Sequence, residues 1–172
     1  MRLTSTLTIL SVAALASAKI LRNTASNLCL DVRPDFYPGA RLSLSPCDEL
    51  KNGDWTIEVR GKTSAIIKNN KLYNDKREMC VGIFEYTPKL VLCHAAVELE
   101  RLEDTDRKKW SFSTVSYGEH VVLASGPEDL GSGLEFWPLR FLPDDDRRWE
   151  WSTLPPKKTM YQELYSWMRY RD

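Results

Sequence analysis

The sequence lacks most of the features that announce a function. No CxxC pair occurs, and the only two histidines, His94 and His120, lie far apart. A metal site is therefore not expected. Twenty-four Lys and Arg balance twenty-four Asp and Glu, and no basic block occurs. That leaves no electrostatic handle for nucleic acid or an anionic membrane. Beyond residue 18 no apolar run is long enough to cross a bilayer. No nucleophile falls beside a base, and no carboxylate pair stands out for glycoside hydrolysis. An enzyme is not expected, and neither is a cofactor. No Asn-x-Ser/Thr follows residue 18, so no N-linked glycan is expected. A chain of 172 residues has room for one domain and an appendage.

What is present begins at the N-terminus. Arg2 precedes an apolar stretch, Leu7 to Ala16, which exits through the small residues Ala16, Ser17 and Ala18. That pattern predicts a secretory signal peptide over 1–18, with the exported chain starting at Lys19. The product is expected to be secreted and extracellular, where disulfides persist.

The rest of the chain says one phrase three times. "LCLDV" at Leu28–Val32 is followed by "LSLSPC" at Leu42–Cys47 and by Trp55. "CVGI" at Cys80–Ile83 is followed by "LVLC" at Leu90–Cys93 and by Trp110. A fainter copy runs "HVVLASG", "GLEFWPL" and then Trp149. The segments are short and alternating, with turn signals between them, such as Asn52-Gly53. This is an all-β pattern. The repeated Trp is expected to fill a shared centre. Three repeats that close on one another make a β-trefoil, which leaves no open sheet edge. Four cysteines permit three connectivities. If each copy is a local unit, Cys29 pairs with Cys47 and Cys80 with Cys93. The third copy looks short: Trp55 to Gly82 spans 82 − 55 = 27 positions, and Trp110 to Ala124 only 124 − 110 = 14.

On these residues the chain resembles the ricin B-type β-trefoil lectins over 19–154. The usual Gln two residues before each Trp is replaced by Gly53, Lys108 and Arg147. The resemblance implies the same two disulfides. It also implies a shallow sugar site built from an acid, an aromatic ring and an amide. In the first repeat Asp31 matches the acid and Asn52 the amide. The ring position is Ser45, so Phe36 or Tyr37 in the intervening loop would have to supply the ring. In the second repeat the acid place is Gly82 and the ring place Val91, so no site is expected. In the third, Trp137 matches the ring and Asp146 lies near the amide, but the acid place is Ala124. Glu128 or Asp129 would have to substitute. The plainer reading gives Asp31 a turn-capping role and Asn52 a tight turn. The implied function is a secreted carbohydrate-binding protein with one weak site in the first repeat. Its partners would be glycans, galactose-type among them, or a glycoprotein.

The alternative is a trefoil that binds a protein, as a secreted inhibitor or a host-directed interaction protein. The charged stretch Val97–Arg107 and the end of the chain favour it. After Pro155-Pro156, Met160, Leu164 and Trp167 recur at helical spacing, with Tyr161 and Tyr165 beside them. This predicts an amphipathic helix over 155–172 that packs on the trefoil or docks a protein partner.

Overall fold

The computed structural model describes residues 18–104, 109–126, 133–141 and 147–154. Residues 1–17 of the expected signal peptide, the expected C-terminal helix over 155–172, and Glu128, Asp129 and Asp146 lie outside the described residues. Alternating apolar and polar residues become strands throughout. They form three sets of four: β1 Ile20–Asn23, β2 Cys29–Val32, β3 Leu42–Ser45 and β4 Trp55–Val59; β5 Ser64–Tyr73, β6 Arg77–Phe84, β7 Thr87–Leu92 and β8 Leu99–Asp104; β9 Lys109–Ser116, β10 Glu119–Ser125, β11 Leu134–Pro138 and β12 Trp151–Leu154.

The first and fourth strand of each set close a six-stranded barrel. β1 pairs with β12 from Ile20–Leu154 to Asn23–Trp151. β12 meets β9 at Trp151–Trp110, and β9 pairs with β8. β8 meets β5 at Leu99–Ala65, and β5 pairs with β4. The ring closes where Lys19 and Trp55 exchange backbone hydrogen bonds of 2.6 and 2.9 Å. The middle strands form three hairpins, β2–β3, β6–β7 and β10–β11. These hairpins touch one another: Gly39 N–H donates to Leu90 C=O at 2.7 Å, and Phe136 N–H to Tyr86 C=O at 2.7 Å. The architecture is a β-trefoil, as expected. Because the barrel closes, a mostly hydrogen-bonded sheet has few bare edges.

The core explains the threefold pattern and corrects two details of it. Trp55 and Trp151 are fully buried at equivalent places, and each indole N–H donates into its own hairpin. Trp55 Nε1 meets Leu30 C=O at 3.0 Å, and Trp151 Nε1 meets Leu123 C=O at 2.9 Å. The third equivalent residue is Leu99, also fully buried. There the backbone N–H of Val97 donates to Val81 C=O at 3.2 Å in place of an indole. Trp110 and Trp149 are therefore not the repeated core residues. Trp110 sits half-buried on the first strand of the third repeat, with the Arg101 guanidinium 4.7 Å from its ring centre. Trp149 is half-buried in the turn before β12. Counted from Leu99, the third repeat reaches Ala124 in 124 − 99 = 25 positions, close to the first interval, and it has its four strands. It is not short.

Polar anchors stitch neighbouring repeats. The amide of Asn23 donates to Arg148 C=O at 2.6 Å, the amide of Asn69 to Asn52 C=O at 2.8 Å, and the Thr114 hydroxyl to Glu98 C=O at 3.1 Å. The disulfides fall as expected, Cys29–Cys47 and Cys80–Cys93, each bracing one hairpin. In the third repeat the corresponding strand position is Val122, paired with Trp137.

Candidate functional site

The structure brings Asp31 and Asn52 together. Asp31 lies near the end of β2, and Asn52 in the loop entering β4. Gly53 allows that loop to pass close: a Cβ there would sit 2.7 Å from a Leu50 methyl and 3.0 Å from Leu30 C=O. The Asn52 N–H donates to Asp31 Oδ1 at 2.7 Å. Asp31 Oδ2 accepts from Arg33 Nε at 2.7 Å and from the Lys51 N–H at 3.3 Å. Arg33 also donates to the Glu49 carbonyl. The Asn52 side chain is equally engaged. Its Nδ2 donates to Val32 C=O at 2.9 Å, and its Oδ1 accepts from Lys71 Nζ at 2.9 Å.

The consequence is a closed site. The Asp31 side chain has no exposed surface, and Asn52 is buried. A carboxylate that must bind sugar hydroxyls needs free lone pairs facing solvent. Here two backbone N–H groups and a guanidinium take three of its about four lone-pair sites, and the side chain has no face open to solvent. Phe36 packs against the core and carries the Lys71 ammonium 4.9 Å from its ring centre. Lys71 thus stands between the ring and the amide, where a ligand would have to lie. Beside it runs a cleft of about 380 Å³ lined by Lys51, Asn52, Asp54, Asn69, Asn70 and Lys71. Tyr37 stands apart from this network, exposed at the tip of the β2–β3 loop.

The other expected ring is elsewhere. Trp137 lies on β11 in the third repeat, half-buried, with the Arg148 guanidinium 5.1 Å from its ring centre. Ala124 takes the acid's place on the adjoining strand and is fully buried. In the second repeat Gly82 has no room for a side chain, because a Cβ would lie 2.6 Å from both Val91 methyls. Of the four residues expected to bind sugar, Asp31 and Asn52 converge, while Tyr37 and Trp137 do not join them.

A second surface was not foreseen. The two-residue turn Glu85-Tyr86 joins β6 to β7, and Tyr117-Gly118 joins β9 to β10. Glu85 and Tyr117 take positive φ, 56° and 50°. The Tyr86 and Tyr117 rings lie 6.1 Å apart, tilted by 50°. The Ser116 hydroxyl donates to Glu85 C=O at 3.3 Å, and the Tyr86 hydroxyl to Glu119 at 3.4 Å. Glu119 in turn pairs with Arg140 at 2.6 Å, and Arg140 lies 4.6 Å from the Phe141 ring centre. Two hairpin tips and the 3-10 turn Leu139–Phe141 are thereby joined into one face. The signal in the sequence was an aromatic at a turn tip, "EYT" and "SYG", where a ring cannot reach the core.

No family model matches the chain, and no curated protein matches it. Solved structures do resemble it. The Haemophilus ducreyi cytolethal distending toxin matches with a TM-score of 0.62 at 17% identity, over 91% of each chain. A salivary protein from Culex quiquefasciatus, of the Cysteine and Tryptophan-Rich (CWRC) family, matches with a TM-score of 0.56 at 13% identity, over 86% of this chain and 99% of that one. The designed threefold-symmetric protein ThreeFoil matches with a TM-score of 0.55 at 10% identity, over 80% of this chain and 97% of that one. At these identities the likeness establishes the fold alone.

Proposed function

We propose that this chain is an exported β-trefoil that works by binding a protein partner, without catalysis, through the aromatic face of its β6–β7 and β9–β10 turns. One observation carries the reading. The acid and amide that would hold a sugar are consumed inside the protein, while the tyrosines of two hairpin tips stand open. Tyrosines on short rigid turns give large contact area at a low entropic cost. Trefoil turns can change without disturbing the barrel, because function is grafted on such loops. Two disulfides support an extracellular setting, and among the described residues no helix is long and apolar enough to cross a membrane.

The test compares the wild type with a Tyr86→Ser/Tyr117→Ser variant in affinity capture from extracellular proteins. A protein retained by the wild type and lost by the variant supports the reading. Identical capture by both sinks it.

A second reading, carbohydrate binding, is favoured by the meeting of Asp31 and Asn52 beside Phe36. It requires Lys71 to yield its place to the ligand. A glycan array separates the two. Glycan binding that survives the tyrosine substitutions and disappears in Asn52→Ala would favour the sugar reading.

A further inference from the structure

Two lysines line the cleft beside Asn52, and among the described residues neither ammonium has a carboxylate partner. Lys71 is nevertheless held in place. Its backbone N–H donates to Asn69 Oδ1 at 2.9 Å and its Nζ to Asn52 Oδ1 at 2.9 Å, with the ammonium 4.9 Å from the Phe36 ring centre. An exposed lysine ordinarily keeps its rotamer freedom or settles against a carboxylate. This one is fixed by neutral partners, an amide oxygen and a ring. The amide takes one of its three N–H donors, so two remain for a ligand.

The rest of the lining is preformed and also rich in donors. Its two walls, the loop entering β4 and the middle of β5, are clamped together. Asn70 N–H donates to Asp54 C=O at 2.9 Å, and Asn69 Nδ2 to Asn52 C=O at 2.8 Å. Asn70 Oδ1 accepts from the Thr56 hydroxyl at 2.7 Å, and its two amide N–H groups have no acceptor among the described residues. Lys51 is anchored by its backbone N–H on Asp31, and its ammonium is unpaired. Asp54 is the single carboxylate on the lining and pairs with neither lysine. The cleft therefore holds a surplus of positive charge and of N–H donors in a chain whose charges balance. Anionic acceptor oxygens complement both.

The lining also selects among anions. Its asparagine amides can both donate and accept, as vicinal hydroxyls require. None of the large hydrophobic side chains exposed among the described residues lines it, so the neighbouring side chains of a peptide would gain little there. Its volume of about 380 Å³ lies at the small end of ligand pockets.

We infer that this cleft binds the carboxylate of an acidic sugar, a sialic or uronic acid, with Lys71 as the anchoring cation and Lys51 and the Asn70 amide beside it. Asn52 acts here as a positioning residue, because it holds the Lys71 ammonium. Lys71 stays where it is and needs no displacement. The site is separate from the hairpin-tip face, and a failure of the capture experiment leaves it standing.

The test is an NMR titration of the disulfide-bonded protein, followed through its backbone amides. The probes are the methyl glycosides of N-acetylneuraminic acid and of glucuronic acid, with methyl glucoside, inorganic sulfate and a short acidic peptide as controls. An acidic sugar is expected to give saturable shifts at 51–54 and 69–71, and methyl glucoside none. Lys71→Gln, an exposed substitution that removes the charge, should weaken binding about tenfold or more. Lys62→Gln, in the turn at the far end of β4 and β5, should leave it unchanged. The absence of saturable shifts with both acidic sugars overturns the inference, and so does undiminished binding by Lys71→Gln. Methyl glucoside binding as tightly as the uronic acid overturns the role of the carboxylate. Sulfate binding as tightly as the sugars makes the cleft a general anion site and overturns the assignment to sugar, as does the acidic peptide binding there in their place.

Discussion

Trp55 donates its indole N–H to the backbone carbonyl of Leu30 at 3.0 Å, with both side chains fully buried. The bond ties the barrel to the first hairpin. Phenylalanine would keep much of the apolar volume and leave that carbonyl without its donor. Trp55→Phe is expected to cost about 1–3 kcal/mol, read from the midpoint of guanidinium unfolding. Trp149→Phe, in a half-buried turn ring, should stay within about 0.5 kcal/mol. Equal losses at the two positions would refute the assignment of Trp55 as the core member.

This contrast shows what could be read from the sequence. The strands, the threefold plan and both disulfides were legible because alternation and Cys spacing are local. The second core position was not. Leu99 has no aromatic to mark it, and its missing indole is replaced by the backbone N–H of Val97, which leaves no trace in side-chain pattern. Trp110 stood nearby and took its place in the reading. Asp31 and Asn52 were legible as a pair. Their occupation was not, because it depends on where Arg33 and Lys71 point, and spacing does not fix that. The turn-tip tyrosines could each be read singly, but their meeting could not, because they come from hairpin tips in two different repeats.

Asp31 is expected to matter for stability rather than for a ligand. Asp31→Ala leaves the Arg33 guanidinium and the N–H groups of Lys51 and Asn52 without their acceptor. The expected loss is about 2–4 kcal/mol. Asp31→Asn should lose less, since an amide oxygen still accepts one N–H. Arg33→Ala combined with Asp31→Ala should cost less than the sum of the two, as expected for direct partners. Chemical denaturation of the wild type and the four variants measures this. Stability unchanged in Asp31→Ala would contradict a structural role.

A surface cluster gives a pH-dependent prediction. Lys68 donates to Glu78 at 3.1 Å and lies 3.6 Å from Glu58. The Glu78 hydrogen bond chiefly holds the ammonium pKa above its ordinary 10.5, against partial burial, and the Glu78 and Glu58 charges add to it. A pKa raised on folding gives stability that is fully present below the unfolded value. That stability is lost as pH climbs through the folded one. Lys68→Met should therefore be less stable than the wild type by under about 1 kcal/mol at neutral pH. The gap should hold up to about pH 9 and close above the ordinary lysine pKa. A gap that widens with rising pH would reverse the sign of the coupling.

The second repeat shows why only one copy keeps an acid. In each hairpin the acid position stands diagonally across from the ring position: Asp31 from Ser45, Gly82 from Val91, Ala124 from Trp137. Where the diagonal neighbour is small, a side chain fits. Where it is large, the strand residue shrinks to glycine or alanine. At Gly82 a Cβ would come within 2.6 Å of both Val91 methyls, and valine has little rotamer freedom with which to withdraw. Restoring the acid by Gly82→Asp should cost about 1–3 kcal/mol from overpacking alone. The carboxylate would also lack the arginine two residues on, because Phe84 stands where the first repeat has Arg33. Val91→Ser in the same chain should return part of the loss, and adding Phe84→Arg more of it. Thermal melts of the three variants order these terms. If Gly82→Asp melts with the wild type, packing does not set which repeat carries the acid.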